Sequence, residues 1–134
     1  MQDAPCVLVA EDDADMRRLV SHTLRRAGYR VTAVGDVMAA IDHLAPANAA
    51  PATRFDAVVS DVRMPGLSGL DLLALLRCAS VELPVVIVSA FADDATRAEA
   101  HELGATAVLD KPVDVDVLAA IVASALAHST ARDA

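Results

Sequence analysis

Tryptophan is absent from this chain and aromatic residues make up only 2% of it, so Tyr29, Phe55 and Phe91 are the only large rings available to a core. The interior must therefore be built from Ala, Val, Leu and Ile, which a hydrophobic content of 55% supplies; a disordered chain looks quite different. Basic residues are also scarce. Eleven of them face nineteen acids, for a formal charge of -8, which repels nucleic acid phosphates, argues against direct nucleic acid binding and directs attention to protein partners. The two cysteines, Cys6 and Cys78, have neither metal-ligand spacing nor a secretory setting and read as reduced, mostly buried thiols. The N-terminal MQDAPC places no basic segment before a long apolar stretch, and every apolar run falls far short of the ~20 residues that span a bilayer. A cytoplasmic protein with no membrane contact is expected.

What the chain does have is four short aliphatic runs, each ending in a chemically capable residue: CVLVA into Glu11 and Asp12, AVVS into Asp61, VVIV into Ser89, and TAVLD into Lys111 and Pro112. Apolar runs this short, separated by helix-length segments, read as strands of a parallel sheet buried on both faces. At 134 residues the chain makes one domain over residues 1–134, with a core over about residues 5–128 and no room for an output domain.

The pattern alternates strand and helix five times. A strand over Cys6 to Ala10 leads to a helix from about Ala14 to Ala27, stopped by Gly28. Arg30 to Val34 forms a second strand, and Asp36 caps a helix running to about Leu44. Ala45 to Arg54, with two prolines and no periodicity, reads as a surface loop. Phe55 to Ser60 gives a third strand, followed after the Met64-Pro65-Gly66 turn by a helix from about Ser68 to Cys78. Val85 to Ser89, a helix from about Asp93 to Leu103, a strand over Thr106 to Leu109 and a final helix from Asp114 to near His128 complete the series. Single helices between strands imply right-handed parallel crossovers, hence an α/β three-layer sandwich around a five-stranded parallel sheet.

The carboxyl ends of parallel strands form the ligand crevice of an open sheet. Glu11, Asp12 and Asp61 would meet there, and three carboxylates so close remain ionised together most readily around a divalent cation; hard oxygen ligands suit Mg²⁺. Asp13 is better read as the cap of the first helix. Lys111 would bring an ammonium to the same edge. Ser89 could serve the site or simply bond a turn amide. Together they offer acids for a metal, an aspartate nucleophile, and a hydroxyl and an ammonium to neutralise phosphoryl oxygens. His22, His43, His101 and His128 lie on separate helices and read as solvated, as do Arg17, Arg18, Arg25 and Arg26 on the first helix.

The pieces V-L-V-A-E-D-D, D-A-V-V-S-D-V-R-M-P-G-L-S-G-L, P-V-V-I-V-S-A and G-A-T-A-V-L-D-K-P, in this order and spacing, resemble the receiver domain of two-component response regulators, which is flavodoxin-like. The resemblance implies that Asp61 is the phosphoacceptor, taking a phosphoryl group from the phosphohistidine of a sensor histidine kinase or phosphotransfer protein. It further implies that Asp12 binds Mg²⁺ directly, that Glu11 acts largely through water, and that the main-chain carbonyl of Arg63 completes the metal site. Ser89 and Lys111 would bind the phosphoryl group, with a cis peptide at Lys111-Pro112. Receivers often carry an aromatic ring three positions before the lysine and commonly a Phe after the Lys-Pro pair. Here those positions are Val108 and Val113, which puts signalling by a ring flip in doubt without touching the phosphoryl chemistry.

A Mg²⁺-dependent phosphatase of the haloacid dehalogenase type also uses an aspartyl nucleophile after a strand, but wants a second acid two residues later, where this chain has Arg63. A flavodoxin-like cofactor binder would need a phosphate loop where Glu11, Asp12 and Asp13 would repel phosphate. An unphosphorylated docking module is the remaining alternative. The sequence thus reads as a switch and not a metabolic enzyme, its chemistry limited to its own phosphorylation and dephosphorylation. Phe91 and Arg63 are expected at the rim, where they would slow hydrolysis. On the last helix Val115, Leu118, Val122 and Leu126 share one face expected to pack on the sheet. Val117 and Ile121, turned away from it, suggest a docking surface for a downstream protein target or a homodimer partner.

Overall fold

The computed structural model describes residues 4–44, 55–79, 82–90 and 93–133, with side chains to residue 127. The expected loop over Ala45 to Arg54, and Phe91, lie outside the described residues. Five strands, β1 (Cys6–Ala10), β2 (Arg30–Val34), β3 (Ala57–Asp61), β4 (Val85–Ser89) and β5 (Ala107–Asp110), alternate with five helices. These are α1 (Ala14–Arg26), α2 (Val37–Leu44), α3 (Gly69–Cys78), α4 (Asp94–Glu102) and α5 (Val115–Asp133). All pairings are parallel, in the order β2-β1-β3-β4-β5.

The aliphatic runs are continuous because both faces of the sheet are covered. Leu8, Val58, Val85 and Ile87 point into one core with Leu72, Leu73 and Leu76 of α3 and Val37 and Ala40 of α2. Their neighbours Val7, Val9, Val59, Val86 and Val88 point into the other, with Val20 and Leu24 of α1 and Leu118 and Val122 of α5. Period-two alternation thus feeds two cores from one set of strands.

Helix starts follow capping chemistry. Asp13 caps α1 by accepting from the amides of Asp15 and Met16 at 2.9 and 3.1 Å, Asp36 accepts from Ala39 N at 2.8 Å, and Asp114 accepts from Asp116 N and Val117 N at 2.9 and 3.2 Å. Ser68 and Asp71 form a reciprocal capping box on α3. At the far end of α3, Arg77 donates to the carbonyls of Leu83, Leu103 and Gly104 at 3.0–3.1 Å. It ties that helix to the loops entering β4 and β5. Burial lowers its pKa, with the charge of Glu82 opposing.

Several sequence expectations are corrected. β3 starts at Ala57 and includes Asp61, so the acid is the last residue of its strand. Helix α5 continues past His128 to Asp133. Cys78 is exposed, because it ends α3 on the helix's outer side, while Cys6 is buried. On α5 the inward stripe is Leu118, Val122 and Ala125; Ile121 packs beside it on the core with Leu126, because a stripe facing both the sheet and α1 is wider than one residue per turn. Only Val117 of the expected docking pair is exposed. Arg17, expected in solvent, is half-buried and bonded to the main chain at the end of β1.

Candidate functional site

The strand order makes β1 and β3 neighbours, with chain connections leaving them to opposite sides, which is where ligands bind in open α/β sheets. Glu11 follows the last residue of β1, and its amide still donates to Val34 O of β2 at 3.0 Å. Asp61 ends β3 in register with Val88 of β4. Oxygens of Glu11, Asp12 and Asp61 lie within 4.8 Å of one another; Glu11 and Asp61 are buried, and Asp12 is exposed. The Lys111 ammonium, carried past the end of β5, donates to Asp61 Oδ2 at 2.9 Å and to Glu11 Oε1 and Oε2 at 3.0 and 3.3 Å. Asp61 Oδ1 accepts from the Arg63 amide at 3.2 Å.

Burial pushes the Glu11 carboxyl up to about 7, against the pull of its Lys111 hydrogen bond and with the Asp61 charge adding to the rise. Burial also works against the Lys111 ammonium, but the hydrogen bonds and charges of Asp61 and Glu11 outweigh it and hold the amine above its ordinary value. Backbone hydrogen bonds from Met16 and Asp15 hold Asp13 below the usual carboxylate range, as suits a cap. The Lys111 ammonium bonds only Glu11 and Asp61, and the Asp12 carboxylate leaves the cluster with more acids than bases. Hard oxygens of this number, one pair buried and one carboxylate facing water, fit a divalent cation such as Mg²⁺ that keeps several waters.

The structure therefore brings together Glu11, Asp12, Asp61 and Lys111. Ser89 is buried at the end of β4, and its carbonyl accepts from the Lys111 amide at 2.9 Å. The Lys111-Pro112 bond is cis, and Pro112 is exposed. Arg63 presents an exposed side chain two residues after Asp61. Val108 is half-buried against the core that holds α2 and α3, so no ring occupies that position.

Two contributors escaped the sequence. Arg17 donates from Nη1 to the Glu11 carbonyl at 2.8 Å. Gly69 packs its α-carbon against the end of β3, where a Cβ would run into the Asp61 carbonyl oxygen and lie 2.9 Å from Ser60 Oγ. Both serve main-chain atoms, so no pairing of side-chain types signals them.

The model of the response regulator receiver domain family matches residues 7–123. The transcriptional regulatory protein FixJ of Bradyrhizobium diazoefficiens is 38% identical over 90% of this chain and 56% of its own length. The DNA-binding transcriptional regulator NtrC of Rhizobium meliloti is 36% identical over 94% of this chain and 25% of its own. The chain thus spans about half of the first relative and a quarter of the second. The receiver domain of Francisella response regulator 1452 superposes with a TM-score of 0.83 at 28% identity, covering 93% of this chain and 98% of that one. Among the described residues no helix is long and apolar enough to cross a membrane. This chain belongs to the response regulator receiver domain family.

Proposed function

We propose that Asp61 is the phosphoacceptor of this receiver and that Glu11, Asp12, Asp61 and the Arg63 main-chain carbonyl hold its Mg²⁺. The observation that carries this reading is the Lys111 ammonium bridging Asp61 and Glu11 at 2.9 and 3.0 Å beside Asp12. A carboxylate oxygen of Asp61 attacks phosphorus, the phosphorus–nitrogen bond of the donor phosphohistidine breaks, and the leaving imidazole takes up a proton. Charge on the transferring phosphoryl oxygens is met by Lys111 and by the Ser89 hydroxyl. The bound cation supplies further charge neutralisation there. Attack by water on the acyl phosphate returns Asp61 and inorganic phosphate. The donor is a sensor histidine kinase or phosphotransfer protein in the cytoplasm, and the phosphorylated state is read by a downstream protein or a second copy of the chain. This chemistry acts on the domain itself and turns over no metabolite.

Incubation with acetyl phosphate and Mg²⁺ should add one phosphoryl group to the intact mass of the protein, and chelation should prevent it. Asp61→Asn should abolish the addition. Undiminished incorporation in that variant would mean the acceptor is another residue.

A further inference from the structure

The segment that carries Glu11 and Asp12 is fastened by one side chain from the first turn of α1. The Glu11 carbonyl, at the buried end of β1, accepts from Arg17 Nη1 at 2.8 Å, and the Arg17 amide donates to the Asp13 carbonyl at 2.8 Å. Arg17 therefore grips both ends of a three-residue turn, one with its guanidinium and one with its backbone. Of that turn, Glu11 is further held by β2 and Lys111, and Asp13 by the helix it caps. Asp12 lies between them, and the peptide plane that Arg17 fixes is the one leading into it. The guanidinium is packed against the chain leaving β2: a Cβ built on Gly35 would lie 3.3 Å from Arg17 Nη1.

We propose that Arg17 is a positioning residue for the cation site, setting the direction of the Glu11–Asp12 peptide and hence the aim of the Asp12 carboxylate. The inference rests on the Mg²⁺ site argued above and extends it to a residue that touches neither the cation nor the phosphoryl group. Electrostatics makes the proposal testable by sign. A guanidinium beside a cation site repels the cation, so if charge were its only effect, removing it would tighten Mg²⁺ binding. Positioning demands the opposite. Outer residues that orient metal ligands are worth ~10-fold or more in affinity.

Calorimetric Mg²⁺ titration of the wild type, Arg17→Met and Arg17→Lys decides between them. Arg17→Met, which keeps the apolar stem, should bind Mg²⁺ ~10-fold more weakly. Arg17→Lys should recover part of the loss, since an ammonium can still donate to the same carbonyl. In the metal-free protein the Asp12 amide resonance should shift in Arg17→Met and move back toward the wild type in Arg17→Lys. Equal or tighter Mg²⁺ binding by Arg17→Met overturns the proposal. Should that variant fail to fold, Arg17→Gln, whose shorter side chain withdraws the donor from the Glu11 carbonyl, serves in its place, and Mg²⁺ affinity equal to the wild type would overturn the proposal equally. The titration needs no phosphodonor, so a wild type that binds Mg²⁺ but is never phosphorylated refutes the proposed function and leaves the role of Arg17 standing. A wild type that binds no Mg²⁺ refutes both.

Discussion

Gly69 shows how a residue with no side chain can constrain Asp61, the proposed phosphoacceptor. It opens α3, its amide donates to Val62 O at 3.0 Å, and the space where a Cβ would sit is taken by the Asp61 main chain, with the carbonyl carbon 3.0 Å away. The obstacle is backbone at the end of a buried strand, which cannot swing aside as a side chain can. Gly69→Ala should therefore cost ~1 to 3 kcal/mol, the range for overpacking a well-packed site. The strain should fall on Asp61. Urea denaturation measures the first effect, and the rate of acetyl phosphate labelling at fixed Mg²⁺ the second. A variant as stable as the wild type would show that α3 can move away from β3 freely. At this scale the acids and Lys111 were legible because chemistry selects their types. Arg17 and Gly69 were not, because their partners are main-chain atoms that every residue carries. Cys78 misled for a related reason: a small apolar residue at the end of a helix faces inward or outward according to a rotation that composition does not record.

At the scale of elements, strands were the most legible, since a run buried on both faces leaves no position for a charge. Boundaries next to chemistry were less so. The third run was expected to stop at Ser60, yet Asp61 keeps its strand geometry because Val62 N still donates to Val88 O at 3.0 Å. Helix starts were readable wherever an acid or serine precedes the first turn, and α4 offers a test. Asp93 accepts from Thr96 N at 2.8 Å, and that hydrogen bond holds its carboxyl below the ordinary value of 3.8. A depressed acid pKa contributes stability that is present above the unfolded value and disappears as pH falls through the folded one. Asp93→Ala should therefore melt below the wild type at pH 7, and the gap should narrow toward pH 3. Asp93→Asn, which still accepts the hydrogen bond, should stay closer to the wild type at neutral pH. A gap of constant size between Asp93→Ala and the wild type would show that the cap's charge contributes nothing.

For the molecule as a whole, topology decides which residue types can reach the site. β4 neighbours β3 and supplies a short serine; β5 lies one strand further out, roughly 10 Å from β3, so only a long side chain closes the distance. Lys111 does so and bonds the carboxylates that a divalent cation would also use. The ammonium and a bound Mg²⁺ would thus compete for negative charge in a protein already strongly acidic. Lys111→Met should separate their two effects. Without metal it leaves Glu11 and Asp61 facing each other with no cation, at a cost of ~1 to 3 kcal/mol. The loss is limited because Glu11, already pushed up to about 7, can take a proton. With Mg²⁺ the variant should bind ~10-fold more tightly than the wild type, since two positive charges a few ångströms apart repel by more than the ~1.4 kcal/mol this represents. Mg²⁺ should then raise the melting temperature of Lys111→Met more than that of the wild type, because binding to the folded state alone stabilises in proportion to the logarithm of occupancy. Thermal melts in chelator and across a Mg²⁺ series test both statements. Weaker Mg²⁺ binding by the variant would mean that Lys111 helps to arrange the carboxylates for the cation and does not compete with it.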